Sequence, residues 1–215
     1  MHRVLFEKTG TAIWMSHLDL MRLMQRAFRR AGVLLHHSQG YTPHAYVSML
    51  LPLSVGMESH CEIMEYEIDT EEAITPEMLN QVLPAGVHVL AVYESSRKGK
   101  ELVWMRVRLT MEYDRGVPSG AAERITALLT GPTLVVEKRT KRGMEETDVR
   151  PLLHDCRIET QERRLVMTAV VSAQNPPLNP MLLAVAIERY LPELAPDFVK
   201  CCRLAMLDTA EEDFR

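Results

Sequence analysis

Read for the spacing of its apolar residues, the chain gives one order of elements twice, and few folds satisfy that. Strands bury every second residue and helices every third or fourth, so the period identifies the element. His2–Lys8 has strand spacing, with Val4 and Phe6 on one face. Ser16 is placed to cap a helix, with Asp19 three positions on as a short-armed capping box. Leu20, Leu23, Met24, Ala27, Phe28 and Ala31 follow helical spacing up to Gly32. Residues 33–38 and 47–53 read as extended, and 58–69 alternates Met64, Tyr66 and Ile68 against Glu65 and Glu67. Thr75 and Pro76 are a cap and first-turn pair for a short helix to Leu83, and Val87–Glu94 is the next strand. The order is β-α-β-β-α-β, the ferredoxin-like split unit.

Residues 95–100, SSRKGK, form a polar seam, and beyond it the pattern restarts. Residues 101–113 carry Val103, Met105, Val107, Leu109 and Met111 on one side and Arg106 and Arg108 on the other. A helix over 118–129, a strand over 133–137, a hairpin of 152–159 with 165–172, a helix over 179–190 and a strand over 198–207 complete the second unit. The fold class is therefore α+β, two tandem ferredoxin-like (βαββαβ) units with antiparallel sheets, over residues 1–96 and 101–215. Each unit is expected to bury one sheet face under two helices and to leave the other open.

Composition narrows the function classes. A net charge of -4 does not advertise nucleic-acid binding, so only local clusters of positive charge carry that reading. The four cysteines, Cys61, Cys156, Cys201 and Cys202, show no C-x-x-C or Cys/His ligand spacing and read as free thiols of a reducing compartment. The first residues lack an apolar signal core, and no apolar run approaches the ~18 residues of a membrane span. The expectation is a cytoplasmic protein without a membrane segment. There is no Walker loop, Rossmann glycine set or G-x-S-x-G. Nor is there a C-x-x-x-C-x-x-C motif, so the chain does not itself hold the iron-sulfur cluster of radical SAM chemistry.

Residues 16–59 concentrate the polar chemistry. Arg22, Arg26, Arg29 and Arg30 fall on one arc of the first helix, opposite its apolar stripe. Such an arc is either a solvated face or a grip on phosphate or carboxylate, and arginine to the exclusion of lysine favours the grip. A second cluster, KRTKR, places Lys138, Arg139, Lys141 and Arg142 in what reads as a loop, partly neutralised by Glu145 and Glu146. His36, His37 and His44 flank Ser38-Gln39-Gly40-Tyr41-Thr42-Pro43. No neighbouring Asp, Glu or Cys completes a metal ligand set there, so no metal site is assigned. His17, His37 and His44 are candidate acid-base groups for RNA cleavage, and Tyr41 and Tyr46 candidate stacking platforms for bases. Asp148 and Arg150, two apart, read as an internal ion pair.

At SHLDLMRLMQRAFRRAG and HSQGYTPHAYVSMLLPLSVGMES, and again at DVRPLL and NPPLNPMLL, the chain resembles the uncharacterised bacterial family of radical-SAM-linked proteins. In that family the domain stands alone or is fused to the C-terminus of a radical SAM protein. Members read closer to SQGFNPHPKIS, and here Thr42, Ala45 and Tyr46 differ. The resemblance implies a radical SAM partner rather than a reaction, with any iron-sulfur cluster and S-adenosylmethionine carried by that partner and no cofactor in this chain. The double plan is also similar, at the level of fold, to repeat-RNA endonucleases of CRISPR systems and to pseudouridine synthases.

The resulting expectation is a non-catalytic recognition module for tRNA or rRNA. Arg22, Arg26, Arg29, Arg30, Lys138, Arg139, Lys141 and Arg142 would hold backbone, while His37, Gln39, Tyr41 and His44 would position a nucleotide. A metal-independent RNA endonuclease or modifying enzyme using His17, His37 or His44 is the alternative. A protein-interaction scaffold that touches no nucleic acid is the third reading.

Overall fold

The computed structural model describes residues 1–69, 73–140 and 143–215, with the side chains of residues 139 and 140 left undescribed. It is a mixed α+β protein that divides into two compact units, Met1–Glu101 with Arg215, and Leu102–Phe214.

In the first unit, β1 (His2–Lys8), α1 (His17–Arg30), β2 (Val47–Met49), β3 (Glu58–Tyr66), α2 (Pro76–Asn80) and β4 (Val87–Glu94) follow in order. β1 lies between β4 and β3, and β2 pairs on the far side of β3, all antiparallel. The register pairs Val4 with Met64 and Met49 with Met64, which puts these residues on the face that α1 covers. Leu20, Met24, Ala27 and Phe28 supply the helix side of that core, and the Phe28 ring lies 4.8 Å from Tyr66.

The boundaries of α1 have local causes. The Ser16 hydroxyl accepts from the Asp19 amide at 3.2 Å and donates to the Asp19 carboxylate at 2.7 Å. The carboxylate thus engages the capping hydroxyl itself rather than the Ser16 backbone. At the other end Gly32, at φ +81, lets the Val33 amide reach Phe28 O (2.9 Å) and its own amide reach Arg29 O (3.1 Å). That is the paired bond pattern of a left-handed helix stop.

Three expectations change here. Residues 33–38 do not form a strand; they contribute only isolated bridges, Leu35 with Ile68 and His37 with Ala45. β2 is three residues long rather than seven. The face turned away from α1 is not open at β1 and β3, since Arg3, Leu5 and Ile63 are buried. Arg3 is satisfied there by Glu65 (2.7 Å), Ser95 Oγ (2.9 Å) and Arg97 O (2.5 Å). A buried charge is tolerable only when paired and hydrogen-bonded in this way.

The second unit runs β5 (Trp104–Glu112), α3 (Ala121–Leu129), β6 (Val135–Thr140), β7 (Gly143–Asp148), β8 (Leu153–Gln161), β9 (Arg164–Ser172), α4 (Met181–Tyr190) and β10 (Phe198–Leu207). β5 pairs with β10 and β9, and β9 with β8, all antiparallel. With β6 and β7 left out, the strand order matches that of the first unit, the first strand lying between the last and the third. Met105, Val107, Leu109 and Met111 are buried, as are Ile125 and Leu129 of α3 and Leu183 and Ile187 of α4.

Residues 138–140 of the KRTKR segment are not a loop: they end β6, which pairs with β7 in a separate two-stranded ribbon inserted between α3 and β8, while residues 141 and 142 lie outside the described residues. Lys138 stands opposite Glu145 in the register, and Glu146 is taken by Arg189 of α4 at 2.7 Å. The Asp148–Arg150 ion pair also gives way to a different brace. Asp148 accepts the amides of Leu134 (2.8 Å) and Arg150 (3.0 Å), while the Arg150 guanidinium donates to Gly131 O (3.1 Å) and Leu153 O (2.6 Å). Those amide bonds, the Leu134 one foremost, hold the Asp148 carboxyl below its ordinary range.

Candidate nucleic-acid interface

The apolar stripe of α1 fixes where its arginines point. With Leu20, Met24, Ala27 and Phe28 turned inward, a 3.6-residue period puts Arg22, Arg26 and Arg29 on the opposite, exposed arc. Arg22 lies 3.5 Å from Asp19, two-thirds exposed, so the pair is weak. Arg26 and Arg29 have no ion-pair or hydrogen-bond partner among the described residues. Arg30 leaves this group: it sits on the flank and donates to Val82 O at 2.6 Å, tying the helix end to the segment after α2. The expected arc of four is an arc of three plus a structural contact.

The histidine-rich segment is a small closed arch. Ser38 N donates to His44 O (2.9 Å) and Tyr46 N to His36 O (2.9 Å), with His37 opposite Ala45 between them. Its foot is a ring of three backbone bonds joining distant segments: His36 N to Glu67 O (2.8 Å), Glu67 N to Tyr46 O (3.1 Å), and Tyr46 N to His36 O. Each segment is braced by the other two, so the side chains leaving this junction have fixed origins.

Alternation along the arch sorts those side chains. His36, Ser38, His44 and Tyr46 share one face, and His37 is on the other. Ring contacts agree: His36 stacks on Tyr46 with centroids 5.3 Å apart, and His44 lies 6.2 Å from the same ring. The His36 Nδ1–H donates to Asp69 Oδ1 at 2.5 Å. The Ser38 hydroxyl accepts the His44 amide (3.1 Å) and is hydrogen-bonded with His44 Nδ1 (2.9 Å), and His37 Nδ1–H donates to Leu35 O (2.7 Å). Gln39 and Tyr41 stand exposed at the tip. His17 opens α1 and has no bonded partner among the described residues. An acid-base pair needs two imidazoles at one spot; His37 and His44 project from opposite faces of the arch.

Beside the arch, a cleft of about 230 Å³ lies over the start of β2 and the end of β3, lined by Tyr46, Ser48, His44, Glu65, Tyr66 and Glu67. Glu65 is held by Arg3. Burial, with the Glu94 carboxylate adding to it, pushes the Tyr66 phenol up to about 12, so it stays a donor at neutral pH. Ser48 and Glu65 form a register pair one position from the Met49–Met64 core pair, so they face away from α1. None of the α1 arginines bonds to the arch among the described residues.

The second basic cluster is described only in part. Lys138 is half-buried on β6; the side chain of Arg139 and all of Lys141 and Arg142 lie outside the described residues. From the sequence His36 was weighed only as a metal ligand, Tyr66 and Glu67 entered only as strand alternation, and Asp69 and Ser48 were not singled out. The available signal was the acidic alternation Glu65, Glu67, Asp69 on a strand end, but its partner on the arch lies about thirty residues away in the chain. Among the described residues no group of three or more His, Cys, Asp or Glu is gathered as a metal site requires, and no helix is long and apolar enough to cross a membrane.

Comparison with curated proteins found no match. Among solved structures the chain is similar to one from "Crystal Structure of a Cbf5-Nop10-Gar1 Complex", at 9% identity and a TM-score of 0.51, covering 94% of this chain and 47% of that one. It is also similar to one from "Crystal structure of the archaeal box H/ACA sRNP Nop10-Cbf5 complex", at 10% identity and a TM-score of 0.46, covering 94% and 46%. The chain spans about half the length of these solved chains. At such identity the first likeness is one of fold. Residues 2–180 match the family DUF2344, described as an uncharacterised protein conserved in bacteria, and the chain belongs to that family.

Proposed function

We propose that this protein is a non-catalytic RNA-recognition module, for tRNA or rRNA, that works beside a radical SAM enzyme. In this reading each unit is a ferredoxin-like βαββαβ domain, the second carrying the β6–β7 ribbon as an insertion. The observation that carries the RNA reading is the exposed arc of Arg22, Arg26 and Arg29, two of which have no partner among the described residues. Three guanidiniums on one helix face, only Arg22 of them set against a carboxylate, suit a row of phosphates better than a solvated surface. The exposed Gln39 and Tyr41 would add contacts to a nucleotide. Support for the partner comes from the family resemblance; the cluster and S-adenosylmethionine belong to that enzyme.

The test is RNA affinity against salt. If the three arginines each neutralise one phosphate of a single strand, raising salt from 50 to 200 mM costs roughly 20-fold in affinity. A flat response removes the reading. For the partner, a tagged chain recovered from its host should bring down an iron-sulfur protein in the presence of ribonuclease. Its absence removes that part alone.

A further inference from the structure

We infer that the outer face of the second unit's sheet holds a site for a phosphate monoester, the end group of an RNA strand or of a free nucleotide, between Arg108 and Arg157 and over the Thr168 hydroxyl. Assigning the phosphate to a nucleotide rests on the RNA reading; the anion site itself stands on residues of the second unit alone.

Strand register builds the site. Along β5, Met105, Val107, Leu109 and Met111 are buried in the core, so Arg106, Arg108 and Thr110 leave from the opposite face. Thr168 of β9 stands opposite Arg108 on one side and opposite Arg157 of β8 on the other. The three side chains form one row across three strands, with the two arginines roughly 10 Å apart at the backbone and the hydroxyl midway. Arg106 lies one pleat along β5 on the same face, opposite Val170. Arg106, Arg108 and Thr168 are half-buried, yet none has a hydrogen-bond or ion-pair partner among the described residues. Arg157 is held only loosely, 3.7 Å from Asp155 with its side chain 86% exposed. Donors drawn part-way out of water and given no acceptor by the chain leave their bonds to a ligand.

The donor set selects the anion. A guanidinium offers two parallel N–H groups, so a single arginine already satisfies a carboxylate. Two guanidiniums facing each other across a hydroxyl suit an acceptor with oxygens in three directions. A phosphate monoester has three free oxygens, one for Arg108, one for Arg157 and one for the Thr168 hydroxyl, while Arg106 balances its second charge. A phosphodiester has only two. The carboxylates of this face limit the site to one phosphate. Glu112 is taken by Lys200 at 2.7 Å, but Asp155 and Glu159 stand on β8 to either side of Arg157 and repel a second phosphate along that strand. A terminal phosphate fits where a track of backbone phosphates does not.

The experiment compares uridine 5′-monophosphate with its methyl ester, which has one free oxygen and one charge fewer, and uridine decamers ending in a 5′-phosphate, a 3′-phosphate or hydroxyls alone. The wild type should bind the monophosphate about tenfold tighter than the methyl ester, and one phosphorylated decamer about tenfold tighter than the hydroxyl-ended one. Arg108→Gln should erase both preferences, and the isosteric Thr168→Val should cut them about threefold. Equal affinity for the monophosphate and its methyl ester overturns the site, and the RNA reading then stands if the hydroxyl-ended decamer still binds less tightly as salt rises. A monophosphate preference lost in Arg108→Gln, with no affinity for the hydroxyl-ended decamer, upholds the site for free nucleotides and removes the RNA reading. A phosphoserine peptide that binds through Arg108 more tightly than uridine monophosphate overturns the assignment to a nucleotide.

Discussion

His36 and Asp69, thirty-three positions apart, meet through an Nδ1–H donated to Oδ1 at 2.5 Å, and Tyr46 stacks on the imidazole that this bond orients. The contact closes the arch from outside while the backbone ring of His36, Tyr46 and Glu67 closes it from inside. The amides of His36, Tyr46 and Glu67 should therefore exchange slowly with solvent. Those of Gln39, Tyr41 and Thr42, which make no backbone bond among the described residues, should exchange fast. Both partners of the ion pair are largely exposed, so Asp69→Ala should cost at most about 1 kcal/mol and speed exchange at His36 roughly fivefold. Uniformly fast exchange through residues 36–46 would contradict the braced arch.

Gly86 tests the start of the first unit. At φ +88, a Cβ there would lie 2.5 Å from Thr9 O and 2.9 Å from the Ala12 Cβ, and Thr9 N already donates to Gly86 O at 2.7 Å. Strain and backbone clash act together, so Gly86→Ala should destabilise by about 3–5 kcal/mol. Gly32→Ala, at φ +81 with nothing within 4 Å, should cost only about 1 kcal/mol. Chemical denaturation of the two variants checks this, and equal losses would contradict it.

Asp148 predicts an acid limb in stability. Its folded value is depressed, so its contribution is complete above the ordinary carboxylate range and is lost as pH falls through the lower folded value. Asp148→Asn keeps an oxygen for the Leu134 and Arg150 amides but does not titrate. Melting temperature measured from pH 6 to pH 2 should therefore fall less steeply in the variant. Parallel curves would show that the carboxylate is not braced as described.

Local pattern made α1 legible from Ser16 to Gly32, because cap, apolar stripe and stop all lie within one segment. β5 was equally clear, since strict alternation of Met105, Val107, Leu109 and Met111 reports a sheet covered on one face. The β7 strand, GMEETD, was not legible because four of its six residues are exposed and leave no alternation to read. Residues 33–38 have strand composition, but their backbone is spent on the ends of β3 and the arch, a long-range pairing that no local period encodes. The arginine arc was read correctly as a face, but Arg30 was not separable, since its acceptor is a carbonyl fifty-two positions away. Buried Arg3 was missed for the same reason: what makes it tolerable is Glu65, on another strand.

The most direct test of the central claim is the affinity of a single-stranded RNA for the wild type and for the variant R22Q/R26Q/R29Q, measured across salt concentration. With three phosphate contacts removed, the slope of log affinity against log salt should become shallower by about two. Two lines of equal slope would contradict an interface built on α1.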